Sequence, residues 1–347
     1  MTSIPTPAEI EPGNIDPIIA LDVQQHRRAI ADIVQGRDDR LLAIVGPCSV
    51  HDAQALHEYV ARLRQVAIEH EHELLVVVRV YLEKPRTRHG WPGFLLDPQR
   101  DGSASVLEGL PQARQMLATV ASCNMPIACE FVDPLLAPYI SDYVSWAAIG
   151  ARTVESPIHR RLASDLDMPV GMKNRTDGAI GPAVDAVAVA GRSQPMVNMH
   201  GDGRLYSYQS SGNSAAHLVL RGGDHGPNYE SSTVEEALSD VQEIVPKPRL
   251  VVDCSHGNSA KDHRRQRLVV DDICAQLDDG QTGIAGIMLE SFLHEGRQSN
   301  EEPLSYGVSV TDSCIDMGDT AELMSQLAKS VTNRRHRRDS LVGNVPQ

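Results

Sequence analysis

A surplus of positive charge is missing from this chain of 347 residues: 32 lysines and arginines face 46 aspartates and glutamates, a formal net charge of −14. That balance argues against a nucleic-acid binder or a protein of anionic membrane surfaces, since both favour basic faces. No apolar stretch is long enough to span a bilayer and no signal peptide is evident, so a cytoplasmic location is expected. Cysteine is sparse, at six residues. Without export these read as reduced thiols, and Cys123, Cys129, Cys254, Cys274 and Cys314 read as small buried hydrophobes. Internal repeats and low-complexity tracts are absent as well.

What the chain does have is a recurring device: a short apolar run that ends on a reactive or anion-seeking residue. LLAIVGPC ends at Cys48, LLVVVR at Arg79, PIACE at Glu130 and WAAIGAR at Arg152. PVGMK ends at Lys173, HLVLR at Arg221, RLVVDCSH at His256 and AGIMLE at Glu290. Amphipathic segments at 54–70, 107–122, 134–146, 181–190, 233–244 and 267–277 stand between most of these runs. Such alternation predicts a parallel sheet, and eight units predict a closed α/β barrel of the TIM (β/α)8 type, whose strand ends converge on one catalytic rim.

Three regions lie outside that rhythm. Residues 1–40 read as an N-terminal extension: an extended arm to about residue 16, then a helix over 18–35 stopped at Gly36. The stretch 195–213, PMVNMHGDGRLYSYQSSGN, alternates around Gly-Asp-Gly and reads as a β-hairpin inserted after the fifth unit of a barrel that occupies 41–332. The last segment, 333–347, reads as a basic, solvated and frayed tail.

Two constellations carry chemistry. Cys48, His256, Glu290 and Asp312 are the residue types that bind a borderline divalent ion, and three of them directly follow strands. Their separations offer no spacing signature. Taken singly, a packed thiol and a core or cap histidine are the simpler readings; a shared rim favours a catalytic ion with an open position. The second constellation is cationic. Arg79 and Lys84 flank a strand end, Lys84-Pro85-Arg86-Thr87 makes a stiff turn, and Arg152, Lys173 and Arg221 each stand near glycine. Cations placed after buried strands suit carboxylate and phosphate groups, whereas cations on loops are ordinarily just solvated. Lys84, among cations, is expected to have a depressed pKa suited to proton transfer.

The motifs GPCS, EKPRT, GART, GMKN with TDG, LRGG, DCSHGNS, GIMLES and SVTDSC, in this order from about residue 18 to 331, resemble those of the microbial type I 3-deoxy-D-arabino-heptulosonate 7-phosphate (DAHP) synthases, the phenylalanine-, tyrosine- or tryptophan-regulated class. The resemblance implies a TIM barrel with an N-terminal extension and an extra hairpin. It also implies condensation of phosphoenolpyruvate with erythrose 4-phosphate at the entry to the shikimate pathway, with a divalent manganese, iron, cobalt or zinc ion, in a homodimer or homotetramer. The metal ligands would be Cys48, His256, Glu290 and Asp312. Phosphoenolpyruvate would meet Arg79, Lys84, Arg152, Lys173 and Arg221, and erythrose 4-phosphate the Lys84–Thr87 turn through Arg86. Lys84, with Cys48 and His256, would be catalytic, Lys84 giving a proton to the aldehyde oxygen; Glu130 keeps no firm role. The hairpin, the shorter extension, Ala137-Pro138 and Asp167 depart from the family pattern at its inhibitor site and subunit contacts, so the resemblance leaves aromatic feedback open for this chain. Two alternatives stay open: a related synthase for another aldose phosphate or a secondary-metabolite pathway, and a barrel that binds without turnover.

Overall fold

All eight apolar runs form strands, because a run without polar interruption is buried on both faces only inside a parallel sheet covered by helices. The structure, a computed structural model, describes residues 3–10, 13–86 and 90–343, with side chains through residue 340. In chain order the strands are β1 (Leu41–Gly46), β2 (Leu74–Arg79), β3 (Ile127–Glu130), β4 (Trp146–Ile149), β5 (Val170–Lys173), β6 (Pro195–Met199), β7 (Leu205–Gln209), β8 (His217–Leu220), β9 (Leu250–Asp253) and β10 (Ile284–Glu290). Eight of them close as β1-β10-β9-β8-β5-β4-β3-β2, every pair parallel, while β6 and β7 make a separate antiparallel hairpin. Barrel, extension and hairpin are as expected.

The helices are α1 (Pro17–Val34), α2 (Ala53–Glu69), α3 (Val106–Ser122), the single turn α4 (Ala137–Ile140), α5 (Pro157–Asp165), α6 (Gly181–Ala190), α7 (Ser231–Gln242), α8 (Gln266–Asp278) and α9 (Met317–Gly343). Capping sets where they start. Asp16 accepts from the Ile18 amide at 2.7 Å ahead of Pro17, and Asp52 accepts from Gln54 and Ala55 at 2.8 and 3.0 Å. The core has two parts. Leu41, Ala43 and Val45 of β1 face the helices, whereas Leu42 and Ile44 point into the barrel with Val77, Trp146, Val219, Val251 and Met288. Ile30, Ile33 and Val34 belong to the inner cluster, so α1 plugs the end of the barrel where the strands begin. Burying three such side chains contributes about 5–9 kcal/mol as an upper figure.

Two expectations differ from the structure. The helix expected over 134–146 is one turn, α4, followed by a 3-10 turn at Ser141–Tyr143. Val144 is already extended (φ −87°, ψ 131°), because the chain must deliver Trp146 to β4. The expected frayed basic tail is instead the last part of α9. Arg334 is 5% exposed, and Arg335 and Arg338 bond Asp39 at 2.7 and 3.0 Å, so counter-charge at the start of β1 docks the arginine run. Residues 344–347 lie outside the described residues. A helix the sequence reading passed over, α5, opens at Pro157 after Ser156, whose hydroxyl lies 2.9 Å from His159 Nδ1.

Candidate active site

The register of β1 against β10 sets Gly46 beside Glu290, so Cys48, two residues past the strand, reaches the same rim position. The carboxylates of Glu290 and Asp312 and the Cys48 thiol offer ligand atoms within 4.8 Å of one another. Cys48 Sγ is 3.6 Å from Asp312 Oδ2 and accepts from the Asp312 amide at 3.3 Å, while Ser49 and Thr311 hydroxyls, 2.7 Å apart, tie the two loops together. Gln266 clamps the backbone of Glu290 by two hydrogen bonds of 2.9 Å. Three of the four expected metal ligands are therefore brought together. The fourth, His256, stands next to them, its Nε2 3.6 Å from Glu290 Oε1, but outside the three-residue group.

His256 is held from behind. It takes a left-handed backbone conformation (φ 55°), and its Nδ1 lies 2.8 Å from Ser255 Oγ and 3.0 Å from Asp253 Oδ2. A hydrogen bond from Nδ1 to the carboxylate leaves the Nε2 lone pair free to ligate. Asp253 ends β9 and is fully buried; its Oδ2 also accepts from Lys173 Nζ at 2.8 Å. Burial alone would raise its pKa, but His256 and Lys173 outweigh burial and hold it well below the ordinary carboxylate range. Sequence reading missed Asp253, although it sits three residues before His256 in DCSH, the spacing at which a strand-end residue can support its neighbour.

The cations line the same rim at different depths. Arg79 is 1% exposed, bonds Glu290 at 3.1 Å and the carbonyls of Pro47 and Cys48, and lies 3.6 Å over the Tyr81 ring. A Cβ on Gly46 would fall 2.6 Å from the Arg79 carbonyl oxygen, so glycine there lets β1 close on β2. Lys84 Nζ donates to Cys48 Sγ at 2.8 Å. The expectation of a depressed Lys84 pKa is corrected. Burial lowers it, but the neighbouring Cys48 sulfur and the Glu290 and Asp312 carboxylates raise it by more, so its pKa is raised and Lys84 stays a cation. Burial and Glu290 push the Cys48 thiol up to about 12.

Arg221 is nearly buried and held by an asparagine net. Its amide donates to Asn174 Oδ1 at 2.7 Å, Asn228 Nδ2 donates to the same oxygen, and Asn258 anchors Asn228 and the carbonyls of Leu220 and Asp253. Burial lowers its pKa, Asp253 opposes that and Arg152 adds to it, placing the exposed Arg152 within electrostatic reach. A cavity of about 330 Å³ runs from Arg221 and His256 to Lys261 and Arg265, two rim cations absent from the sequence reading. Arg86 is exposed and donates to the Trp91 carbonyl at 2.8 Å, apart from the cluster. Thr87 lies outside the described residues. Glu130, 8% exposed, fits only because residue 150 is glycine: a Cβ there would be 2.0 Å from its Oε1. Its neighbour Glu83 accepts from the amides of Val132 and Asp133, yet burial pushes its pKa up to about 8.

A closed barrel with a thiol–carboxylate cluster at its C-terminal rim, ringed by buried cations, defines an α/β-barrel enzyme for anionic substrates with donors suited to a divalent ion. The family profile of the DAHP synthetase I family matches residues 18–325. The chain is 44% identical to the phospho-2-dehydro-3-deoxyheptonate aldolase of Corynebacterium glutamicum, over 96% of this chain and 93% of that protein. It is 45% identical to the Trp-sensitive phospho-2-dehydro-3-deoxyheptonate aldolase of Escherichia coli K12, over 96% of each. The solved structure of the Francisella tularensis aldolase of the same name superposes with a TM-score of 0.94 at 38% identity, covering 96% of this chain and 98% of that one. The chain belongs to the DAHP synthetase I family. Its reaction condenses phosphoenolpyruvate with erythrose 4-phosphate and water to DAHP and phosphate, the first step of the shikimate pathway.

Proposed function

We propose that this synthase is metal-dependent and that Cys48, Glu290 and Asp312, with His256 beside them, hold the divalent ion. The carrying observation is the donor set: a thiol and two carboxylates with ligand atoms within 4.8 Å, which fits a borderline transition ion and not a purely oxygen-seeking one. When bound, such an ion supplies Lewis acidity toward the aldehyde oxygen of erythrose 4-phosphate.

The remaining work falls to the protein's own groups. Arg79, Lys173 and Arg221, with Arg152 and Lys84, grip the carboxylate and phosphate of phosphoenolpyruvate and present its C3 to the aldehyde carbon. Lys84, kept protonated, gives a proton to the aldehyde oxygen as the new C–C bond forms. Water adds at C2 of the former enol, and phosphate leaves by C–O cleavage. Glu130 is the strand-end group available to orient that water or Lys173. Arg86, at the Lys84–Thr87 turn, serves the phosphate of erythrose 4-phosphate.

We propose also a cytoplasmic homo-oligomer. Among the described residues no helix is long and apolar enough to cross a membrane, and Ile18, Leu21, Val197 and Leu205 stand exposed on α1 and the hairpin, where a second copy would cover them. The decisive experiment measures phosphate release with both substrates before and after chelation. Activity should vanish on chelation, return with a divalent ion and stay absent in Cys48→Ala; full turnover by metal-stripped enzyme refutes the metal role. A panel of aldose phosphates with a mass readout tests the four-carbon acceptor.

A further inference from the structure

At the end of the barrel opposite the active site, the residues preceding β1, β9 and β10 and the arginine run of α9 enclose a groove of about 870 Å³. Its floor is two guanidinium groups. Arg334, 5% exposed, donates to the carbonyls of Asp39 at 2.6 Å and Gln281 at 3.5 Å. Arg249 donates to the carbonyls of Ile33, Asp38 and Thr282 at 2.5, 3.3 and 2.8 Å. Among the described residues neither makes a salt bridge. Backbone carbonyls hold the two like charges, Asp39 acts on both at a distance without a salt bridge to either, and burial together with Arg249 pushes the Arg334 pKa down to about 10.

The rim continues the pattern with Lys247, Arg335, Arg337 and Arg338, so six cations line the groove against three carboxylates, Asp38, Asp39 and Asp279. Those acids are already engaged. Asp38 bonds Arg40, Asp39 bonds Arg335 and Arg338, and Asp279 meets Arg337 in an exposed pair at 3.3 Å that exchanges readily with solvent or a ligand. Arg335 also meets Glu73 and Arg338 meets Asp339, so among the described residues the lining cations without a salt bridge are Lys247, Arg249 and Arg334, in a chain of net charge −14. A long nucleic acid would meet that acidic surface beyond the groove, whereas a small anion would not. The guanidinium fork matches phosphate oxygens in pairs, and Leu238, Pro246 and Pro248 offer apolar wall for whatever carries the phosphate.

We propose that this groove is a second anion site, for a small molecule carrying a diphosphate or several phosphate groups, gripped by Arg334 and Arg249 with Lys247 and Arg337 at the rim. It is distinct from the catalytic anion pocket, uses none of its residues and does not depend on the metal assignment. Because Gln35 and Gly36, at the end of α1, share the lining with α9, an occupant ties the barrel plug to the C-terminal helix and stabilises the native state by mass action.

The test titrates inorganic pyrophosphate by calorimetry into the full chain at low ionic strength, and into Arg334→Gln, Lys247→Ala and Arg221→Gln. Two classes of binding are expected, one lost in Arg221→Gln and the other weakened about tenfold or more in Arg334→Gln, the loss of a charge-assisted contact. Lys247→Ala, an exposed change that leaves the fold alone, should weaken the second class several-fold even if Arg334→Gln folds poorly. Both should leave turnover without pyrophosphate unchanged. Pyrophosphate binding that is indifferent to Arg334→Gln and Lys247→Ala overturns the proposal, as does a complete loss of binding in Arg221→Gln. Citrate binding as tightly as pyrophosphate overturns the phosphate assignment.

Discussion

Asp253→Asn keeps the shape of a fully buried side chain and removes its charge. In the native site that charge lies 2.8 Å from Lys173 Nζ and 3.0 Å from His256 Nδ1. Deleting one partner of a buried ion pair costs about 3–5 kcal/mol; the asparagine oxygen still accepts one hydrogen bond, so about 3 kcal/mol is expected. The functional cost is separate. His256 loses the acceptor that fixes its tautomer, and loss of such support weakens metal binding by about 10–100-fold. Lys173 loses its anchor, so the KM for phosphoenolpyruvate should rise. The assay combines urea unfolding, a manganese titration of the stripped protein and initial rates at saturating metal. An unfolding midpoint, metal affinity and KM all equal to wild type would refute the role assigned to Asp253.

Three further outcomes are expected. His217 is enclosed inside the barrel, accepts from Trp146 Nε1 at 3.2 Å and donates to the Ala215 carbonyl, and burial lowers its pKa to about 4. The unfolded chain therefore binds the extra proton, so the contribution is complete above about pH 6.5 and lost as pH falls toward 4, about 3 kcal/mol in all; unfolding of His217→Asn should show a flatter pH dependence across that window. Gly150→Ala drives a methyl onto the Glu130 carboxylate, which lies 2.0 Å from the ideal Cβ, and kcat should fall while the Tm changes little if Glu130 must be positioned; equal kcat removes Glu130 from the reaction. Ile33→Ala opens the barrel plug and should cost about 2–5 kcal/mol in chemical denaturation, whereas a loss below about 1 kcal/mol would mean α1 is only an appendage.

The strand-end pattern was legible because its physics is local. Unbroken apolar runs such as LLVVVR and AGIMLE demand burial on both faces, and a parallel barrel puts all their C-terminal ends on one rim. Cys48, His256, Glu290 and Asp312 could thus be grouped before any contact was known. The helix over 134–146 misled because its apolar spacing is genuine while its length is set by where β4 must begin. The tail misled for a related reason: an isolated arginine run is solvated, and only Asp39, almost three hundred positions earlier, makes it a docked helix.

By itself, then, the order of residues determined the barrel, the hairpin and the family, and it singled out the candidate side chains. Only the tertiary structure decided what those side chains feel. Lys84 was expected to lose its proton easily among cations; the fold instead sets it against Cys48, Glu290 and Asp312, and Coulomb attraction over a few ångströms outweighs burial. Asp253 and Gly150 became candidate positions for the same reason, since support behind His256 and space beside Glu130 are properties of neighbours in space. Arg334 and Arg249 at the far end of the barrel are a further case: which charges lie near them is set by the closed barrel and the docking of α9.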